Sequence, residues 1–355
     1  MKVFYFITLF CLVLILAGSE ACGRKDSVAP GNEDGPPEPY TLDLPPGIPA
    51  PNYDFSQNPL TKQGIALGRH LFYDPKLSRD STISCGFCHQ QFAAFGHFDH
   101  ALAHGIEGRI GIRSVPTLFN LIWQKEFMWD GGVNNLEIQP LTPITDANEM
   151  GEDLGHLVQR LQGDARYRKM FKAAFGSEEV NSQRLFRALT QFMATMVSFE
   201  SKYDSVIRKA PGVAFTAEEQ AGYTIFQQKC ASCHKEPFFT DFTYRNNGLP
   251  YLPALNDVGR MKITGSTGDY LKFKVPSLRN VLKSPPYMHD GRYFDIYQVF
   301  ALYDHGIAQS STLDPLVKNG IPLPEQEQRA LYMFLNTLTD PSFINNQSLS
   351  EILID

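Results

Sequence analysis

Cys85-Gly86-Phe87-Cys88-His89 and Cys230-Ala231-Ser232-Cys233-His234 both read C-x-x-C-H. In that spacing each thiol can add to a vinyl group of a haem, and the adjoining histidine then meets the iron as its proximal ligand. A lone C-x-x-C reads equally well as a redox dithiol or as half of a zinc site. No further C-x-x-C completes a zinc cluster here, and each pair carries its own histidine. The pattern predicts two covalently bound haem c groups, one on Cys85, Cys88 and His89 and one on Cys230, Cys233 and His234.

The elements that must position these motifs are themselves repeated. Gly68 and Phe72 precede the first motif, and Gly222 and Phe226 the second. Downstream, Pro116-Thr117-Leu118-Phe119-Asn120 matches Pro276-Ser277-Leu278-Arg279-Asn280, and ten residues after each Asn comes an Asp-Gly pair, Asp130-Gly131 and Asp290-Gly291. Fixed spacing of this kind marks a duplicated unit. The second copy carries about 15 extra residues, assigned to the loop from Asn246 to Gly268. Apolar residues recur at three and four from Leu154 to Phe175 and from Gln183 to Phe199, which predicts helices. The fold class that follows is mainly α, with two cytochrome c-like domains that each bind one haem. Ser201 to Pro211 is the expected junction. The expected division is an N-terminal domain over 51–205, a C-terminal domain over 206–340 and a tail over 341–355.

Thirteen residues past each Asp the copies differ: Pro143 in the first, Tyr303 in the second. Proline has no side chain able to bind iron, whereas a tyrosine phenolate does. The first haem is then open on its distal side and the second closed, an arrangement suited to an enzyme rather than to a plain electron carrier. The alternative for Tyr303 is a core aromatic, with Met288 or His305 as the ligand.

Met1-Lys2 followed by an apolar run from Val3 to Ala17 reads as an export signal over 1–21, ending in small residues before Cys22. The run is shorter than the roughly 20 residues of a membrane span. Cys22 stands where a lipoprotein cysteine would, so the expected location is the periplasm, with a lipid anchor or plain secretion both open. Residues 22–50, rich in Pro, Gly and charge, read as a disordered tether. The net charge of -6 argues against a nucleic-acid partner.

Gly68-Arg69-His70-Leu71-Phe72-Tyr73-Asp74, Phe127-Met128-Trp129-Asp130-Gly131, Asn148-Glu149-Met150-Gly151 and Pro286-Tyr287-Met288-His289-Asp290-Gly291 resemble blocks of the bacterial dihaem cytochrome c peroxidase family, and within it the MauG-like branch. The likeness runs from about Pro59 to Leu338. It implies that Trp129 lies between the haems as an electron relay, although a packing role suits any buried tryptophan. It implies that Gln139 and Glu149, with Pro143 between them, line the distal pocket of the first haem. Tyr303 falls where the peroxidases have methionine, as in MauG. Ile106 follows Gly105 where the peroxidases place a removable histidine; His104, on the other side of Gly105, is the alternative ligand. The family's calcium between domains matches Ser284 and Pro286 through their carbonyls, but its asparagine position falls on Ser114.

Cleaving the O–O bond of hydrogen peroxide requires moving a proton from one oxygen to the other. A half-buried carboxylate can do this, which makes Glu149 the candidate shuttle; Gln139 can only hydrogen-bond. The plainer role for Glu149 is to stabilise the start of a helix over Gly151–Leu157. His289 reads as structural or supporting rather than a ligand, and His70, His97, His100 and His156 fall in no motif. Three functions follow. One is peroxide reduction with electrons from a small periplasmic cytochrome c or cupredoxin. Another is MauG-type oxidation of tryptophan residues on a partner protein. The third is electron transfer without catalysis.

Overall fold

The computed structural model describes residues 35–352. The signal-like run, Cys11, Cys22 and the first part of the expected tether lie outside them. In chain order the helices are α1 (Lys62–Tyr73), α2 (Cys85–Cys88), α3 (Leu141–Thr145), α4 (Leu154–Gly163), α5 (Ala165–Phe175), α6 (Ser182–Ala194), α7 (Lys202–Ile207), α8 (Ala217–Lys229), α9 (Met261–Thr264), α10 (Ile296–His305), α11 (Glu325–Asn336) and α12 (Pro341–Ile344). Two short antiparallel strands, β1 (Tyr244–Arg245) and β2 (Phe273–Lys274), join Tyr244 to Lys274 and Arg245 to Phe273. The protein is mainly helical.

The duplication is visible in the backbone. Helix α1 crosses α6, and α8 crosses α11, at the same kind of contact. A Cβ on Gly68 would lie 1.9 Å from the Ala188 carbonyl oxygen; one on Gly222 would lie 1.9 Å from that of Ala330. Only glycine allows the helices to approach this closely. Phe72 then packs edge-on to Phe192, centroids 5.3 Å apart, while Phe226 meets Phe334 at 5.0 Å in a tilted contact. Each pair seeds its own core, Leu67, Leu71, Leu185 and Leu189 around the first, Tyr203, Phe239, Leu331 and Leu338 around the second. Asn120 and Asn280 both adopt left-handed backbone, φ 53° and 56°, and so do Met128 and Met288. Asparagine tolerates that conformation because its short polar side chain bonds locally. Here both reach one residue: Ser198 N–H donates to Asn120 Oδ1 at 2.9 Å, and Asn280 Nδ2 donates to Ser198 Oγ at 3.0 Å.

Several boundaries differ from the sequence expectation. The helical run from Leu154 divides at Asp164, whose backbone is extended (ψ 116°) and whose carboxylate accepts from Arg166 N–H to start α5. Helix α6 stops at Ala194, because Met196 and Ser198 bond to Asn120 instead of continuing the turn. The expected junction contains α7, fixed by a Ser201–Asp204 capping box and by Arg279 gripping both Asp204 oxygens at 2.7 and 2.8 Å. Tyr203 belongs to the second core, so α7 packs with the C-terminal half ahead of the expected boundary at 205/206. The expected tether is in place before residue 50: Tyr40 N–H donates to the Leu60 carbonyl, and the Trp123 indole to that of Pro49 at 2.7 Å. The expected tail does not trail from the C-terminal half. Phe343 and Leu349 enter the first core, while Arg69 and Tyr73 of α1 donate to the Ser350 and Leu349 carbonyls.

Candidate functional site

Each C-x-x-C-H motif forms one tight turn. In the first, Ser84 caps α2 by accepting from Phe87 N–H, and His89 N–H closes the turn on the Cys85 carbonyl at 2.8 Å. In the second, Cys230 ends α8 and its carbonyl accepts from His234 N–H at 3.0 Å. Residues i, i+3 and i+4 of such a turn share a face, so both thiols and the imidazole stand together. All four thiols are free of disulfides. Burial pushes the Cys85, Cys88 and Cys230 thiols up to about 12. His89 Nδ1 lies 2.8 Å from the Phe95 carbonyl oxygen, and His234 Nδ1 lies 3.1 Å from those of Phe239 and Pro276. A carbonyl only accepts, so Nδ1 carries the proton and Nε2 keeps its lone pair for a metal. Burial lowers both rings' pKa, to about 4 for His89, which keeps them neutral.

Beside the second turn lies a cavity of about 650 Å³ lined by Cys230, Cys233, His234, Met288 and Tyr303. Its volume is that of a cofactor pocket, and its donors are two thiols, an imidazole and a phenol. These residues fit a covalently held haem. Tyr303, on α10, is half-buried against the cavity, and burial pushes its phenol up to about 12. Asn247 Nδ2 stands 3.4 Å from the Tyr303 hydroxyl and 3.6 Å from Met288 Sδ. His305 points elsewhere: its side chain is 73 % exposed and pairs with Asp304.

The first half gathers its own set. Glu149 is half-buried, and burial, aided by the charge of Asp146, raises its pKa to about 7. Its charge also adds to burial in raising the Cys88 thiol, so the carboxylate lies near the first attachment turn. Helix α4 starts at Leu154 on Asp153, not at Gly151, so Glu149 caps no helix. The loop around Gly105 holds the Glu149 turn in place. Ile106 N–H donates to the Glu149 carbonyl at 2.8 Å, and a Cβ on Gly105 would stand 1.9 Å from the Asn148 carbonyl oxygen. Ile106 is buried; His104 instead stacks on His100, centroids 3.7 Å apart.

Trp129 and Gln139 line the large cavity together with residues of the second half. The Trp129 indole donates to the Ser114 carbonyl at 2.8 Å, and its own carbonyl accepts from Lys274 N–H at 2.8 Å. Gln139 Nε2 donates to Met128 Sδ at 3.8 Å. Around this seam Arg113 joins Asp130 of the first half to Asp257 of the second. His289 stacks on Phe273 at 3.6 Å, and its carbonyl accepts from Ser114 N–H. Ser114, Ser284 and Pro286, the residues at the family's calcium positions, also line the cavity. Sequence reasoning missed Asn247 and Arg113, for both act through contacts between segments far apart in the chain. The length of the 246–268 insertion was the one available signal for Asn247.

Residues 62–211 match the family described as di-haem cytochrome c peroxidase. The chain is 36% identical over 294 residues to the methylamine utilization protein MauG of Methylorubrum extorquens, covering 79% of each. It is 34% identical over 229 residues to the cytochrome c551 peroxidase of Nitrosomonas europaea, covering 63% of this chain and 68% of that one. A solved structure of a MauG-like protein associated with microbial copper homeostasis superposes with a TM-score of 0.81 at 32% identity, over 88% of this chain and 99% of that one.

Proposed function

Since this chain belongs to the di-haem cytochrome c peroxidase family, we propose that it is an exported oxidoreductase that activates hydrogen peroxide at an N-terminal haem site and handles electrons at a C-terminal one, each in its own cytochrome c-like domain. The observation that carries this reading is the placement of Glu149: its carbonyl is held by the Gly105 loop, whose His104 carbonyl meets the Cys88 sulfur, burial raises its carboxyl to about 7, and Pro143 stands where the other half has Tyr303. Covalently attached haem c, held by Cys85, Cys88 and His89 and by Cys230, Cys233 and His234, supplies the redox chemistry of peroxide cleavage and the storage of electrons.

The protein's own residues do the rest. Glu149 takes the proton from the near oxygen of peroxide and returns it to the departing one; its pKa near the working pH suits both halves of that transfer. Gln139 orients the substrate by hydrogen bonding and cannot carry the proton. Pro143 presents no ligand and leaves room for peroxide. Trp129, whose indole donates to the Ser114 carbonyl at the seam, serves as the relay between the two sites. With haem bound, Tyr303 would be the residue to close the second site as an anionic oxygen donor, since a metal's charge favours the phenolate against the upward push of burial.

The family contains both peroxidases and MauG-type enzymes. Tyr303 favours the second kind, in which peroxide oxidises tryptophan residues on a partner protein; a small cytochrome c or cupredoxin donor fits the first. The test is a peroxide titration of the diferric protein, followed by addition of a reduced cytochrome c. Consumption of two electrons' worth of peroxide per chain is expected. Protein that leaves peroxide untouched would reduce the reading to electron transfer alone. Rapid donor oxidation favours the peroxidase role; an oxidised state that ignores donors favours the protein-oxidising one.

A further inference from the structure

Between the first attachment turn and the Gly105 loop, residues 97–104 carry three histidines and an aspartate that the chemistry above does not use. The segment is framed by two backbone rungs, Gln90 with Gly96 and His104 with Ile110. Inside the frame His97 Nε2, Asp99 Oδ1 and His100 Nδ1 converge. They stand 2.8 Å (His97 to Asp99), 2.6 Å (Asp99 to His100) and 2.9 Å (His97 to His100) apart.

Three polar atoms at mutual hydrogen-bond distance need protons to hold them, and here the protons are short. His97 Nδ1 lies 3.2 Å from the Cys88 carbonyl oxygen, which can only accept. The proton of a neutral His97 therefore sits on Nδ1, and Nε2 turns a lone pair into the cluster. Asp99 Oδ1 contributes only lone pairs. His100 can offer one proton at most, for three facing pairs. His100 Nε2, on the far side of that ring, is buried without a hydrogen-bond partner among the described residues. The cluster has the composition of a ligand set: two imidazoles and one carboxylate, with one imidazole oriented by donating its other N–H to a backbone carbonyl, as metal-bound histidines do.

We propose that His97, Asp99 and His100 form a binding site for a divalent transition-metal ion of the Zn²⁺ and Cu²⁺ class. Imidazole donors select these ions over Ca²⁺ and Mg²⁺. His97 is buried and supplies the fixed ligand, while the Asp99 side chain is 64 % exposed and leaves an entry path from solvent. A bound ion replaces the missing protons and ties the 97–100 turn to the backbone of Cys88, beside the first proximal histidine. The three ligands leave coordination positions open on the solvent side.

The test uses the full-length dihaem protein, stripped with EDTA and then offered Zn²⁺ or Cu²⁺ alone. Equilibrium dialysis with metal analysis should show one equivalent per chain in addition to the two irons, retained through desalting. The bound Cu²⁺ should show nitrogen hyperfine splitting from imidazole. Asp99→Asn and His100→Ala should each weaken binding by at least about tenfold, with haem content and visible spectrum unchanged. His156→Ala, a surface histidine elsewhere, should bind as wild type. Failure of the wild-type protein to retain either metal, or retention undiminished in both variants, overturns the site and leaves the cluster a hydrogen-bonded one. Because Asp99 lies on the surface, its variant separates lost ligation from lost folding.

Discussion

The Tyr303 hydroxyl and the Met288 sulfur share one donor, the amide of Asn247, at 3.4 and 3.6 Å. A phenol and a thioether thus stand together in the lining of the large cavity. Removing the phenol leaves the thioether as the nearest replacement donor. Tyr303→Phe should lose the phenolate signature in electron paramagnetic resonance, and Tyr303→Met should raise the reduction potential of the second haem, since thioether ligation favours ferrous iron. A low-spin signal identical to wild type in both variants would remove Tyr303 from the ligand set.

Glu149→Gln should slow the reaction with peroxide by about 10²-fold or more, because an amide keeps the shape but moves no proton. In the wild type that rate should rise with pH through about 7, as the carboxylate forms, and the variant should lose the inflection. Stopped-flow measurements across pH 5–9 read both. An inflection that persists in the variant assigns it to another group.

The same carboxyl should mark the stability profile. Its folded pKa is raised from 4.5 to about 7, so the folded state holds a proton that the unfolded state has released. Its contribution to stability is full below about 4.5 and falls as pH rises towards 7. Denaturant titrations of wild type and Glu149→Gln should converge at low pH and diverge by neutrality, with the variant the more stable.

Alanine inside a helix normally gains up to about 1 kcal/mol over glycine. At Gly222 the added methyl would strike the Ala330 carbonyl, so Gly222→Ala should instead cost about 1–3 kcal/mol, the range for overpacking. Gly68→Ala should behave alike against Ala188. Chemical denaturation would show it; a stabilised variant would mean that the helix pairs separate easily.

Arg279 and Asp204 are paired with side chains only 0% and 5% exposed. Burial alone would raise the Asp204 pKa, but the bonds from Arg279 outweigh it and hold the group below its usual range. Asp204→Asn leaves a buried guanidinium uncompensated and should cost about 3–5 kcal/mol. Because the folded pKa is depressed, this stabilisation is present above the ordinary carboxylate pKa and is lost as the solution becomes more acidic. The difference between wild type and variant should therefore shrink in acid.

The repeated unit was legible in sequence because its constraints are local and covalent. A C-x-x-C-H turn needs its residues adjacent, a glycine at a helix crossing has no substitute, and left-handed Asn120 and Asn280 recur at one distance from their Asp-Gly pairs. Glu149 was singled out by the family resemblance, and its contact with the Gly105 loop is one that only folding makes. Asn247 escaped because its partner is 56 residues away and joined to it only by folding. The break at Asp164 escaped because hydrophobic periodicity runs through it, while the stop is written in one residue's backbone. The path of residues 341–350 escaped for the same reason as Asn247: short apolar positions near a terminus do not say which core they fill.

That path reverses the usual order of assembly. In most chains made of two units, the first to leave the ribosome or the membrane channel can finish folding while the second is still unmade. Here Phe343 sits 5.6 Å from Phe95 and 5.9 Å from Phe119, ring centre to ring centre, and α1 is clasped by carbonyls at 347–350. The N-terminal half stays unsealed until residue 350 has emerged and returned. The early half is therefore the late one to close, because the residues that complete the core behind the first attachment turn follow the whole C-terminal half in the chain.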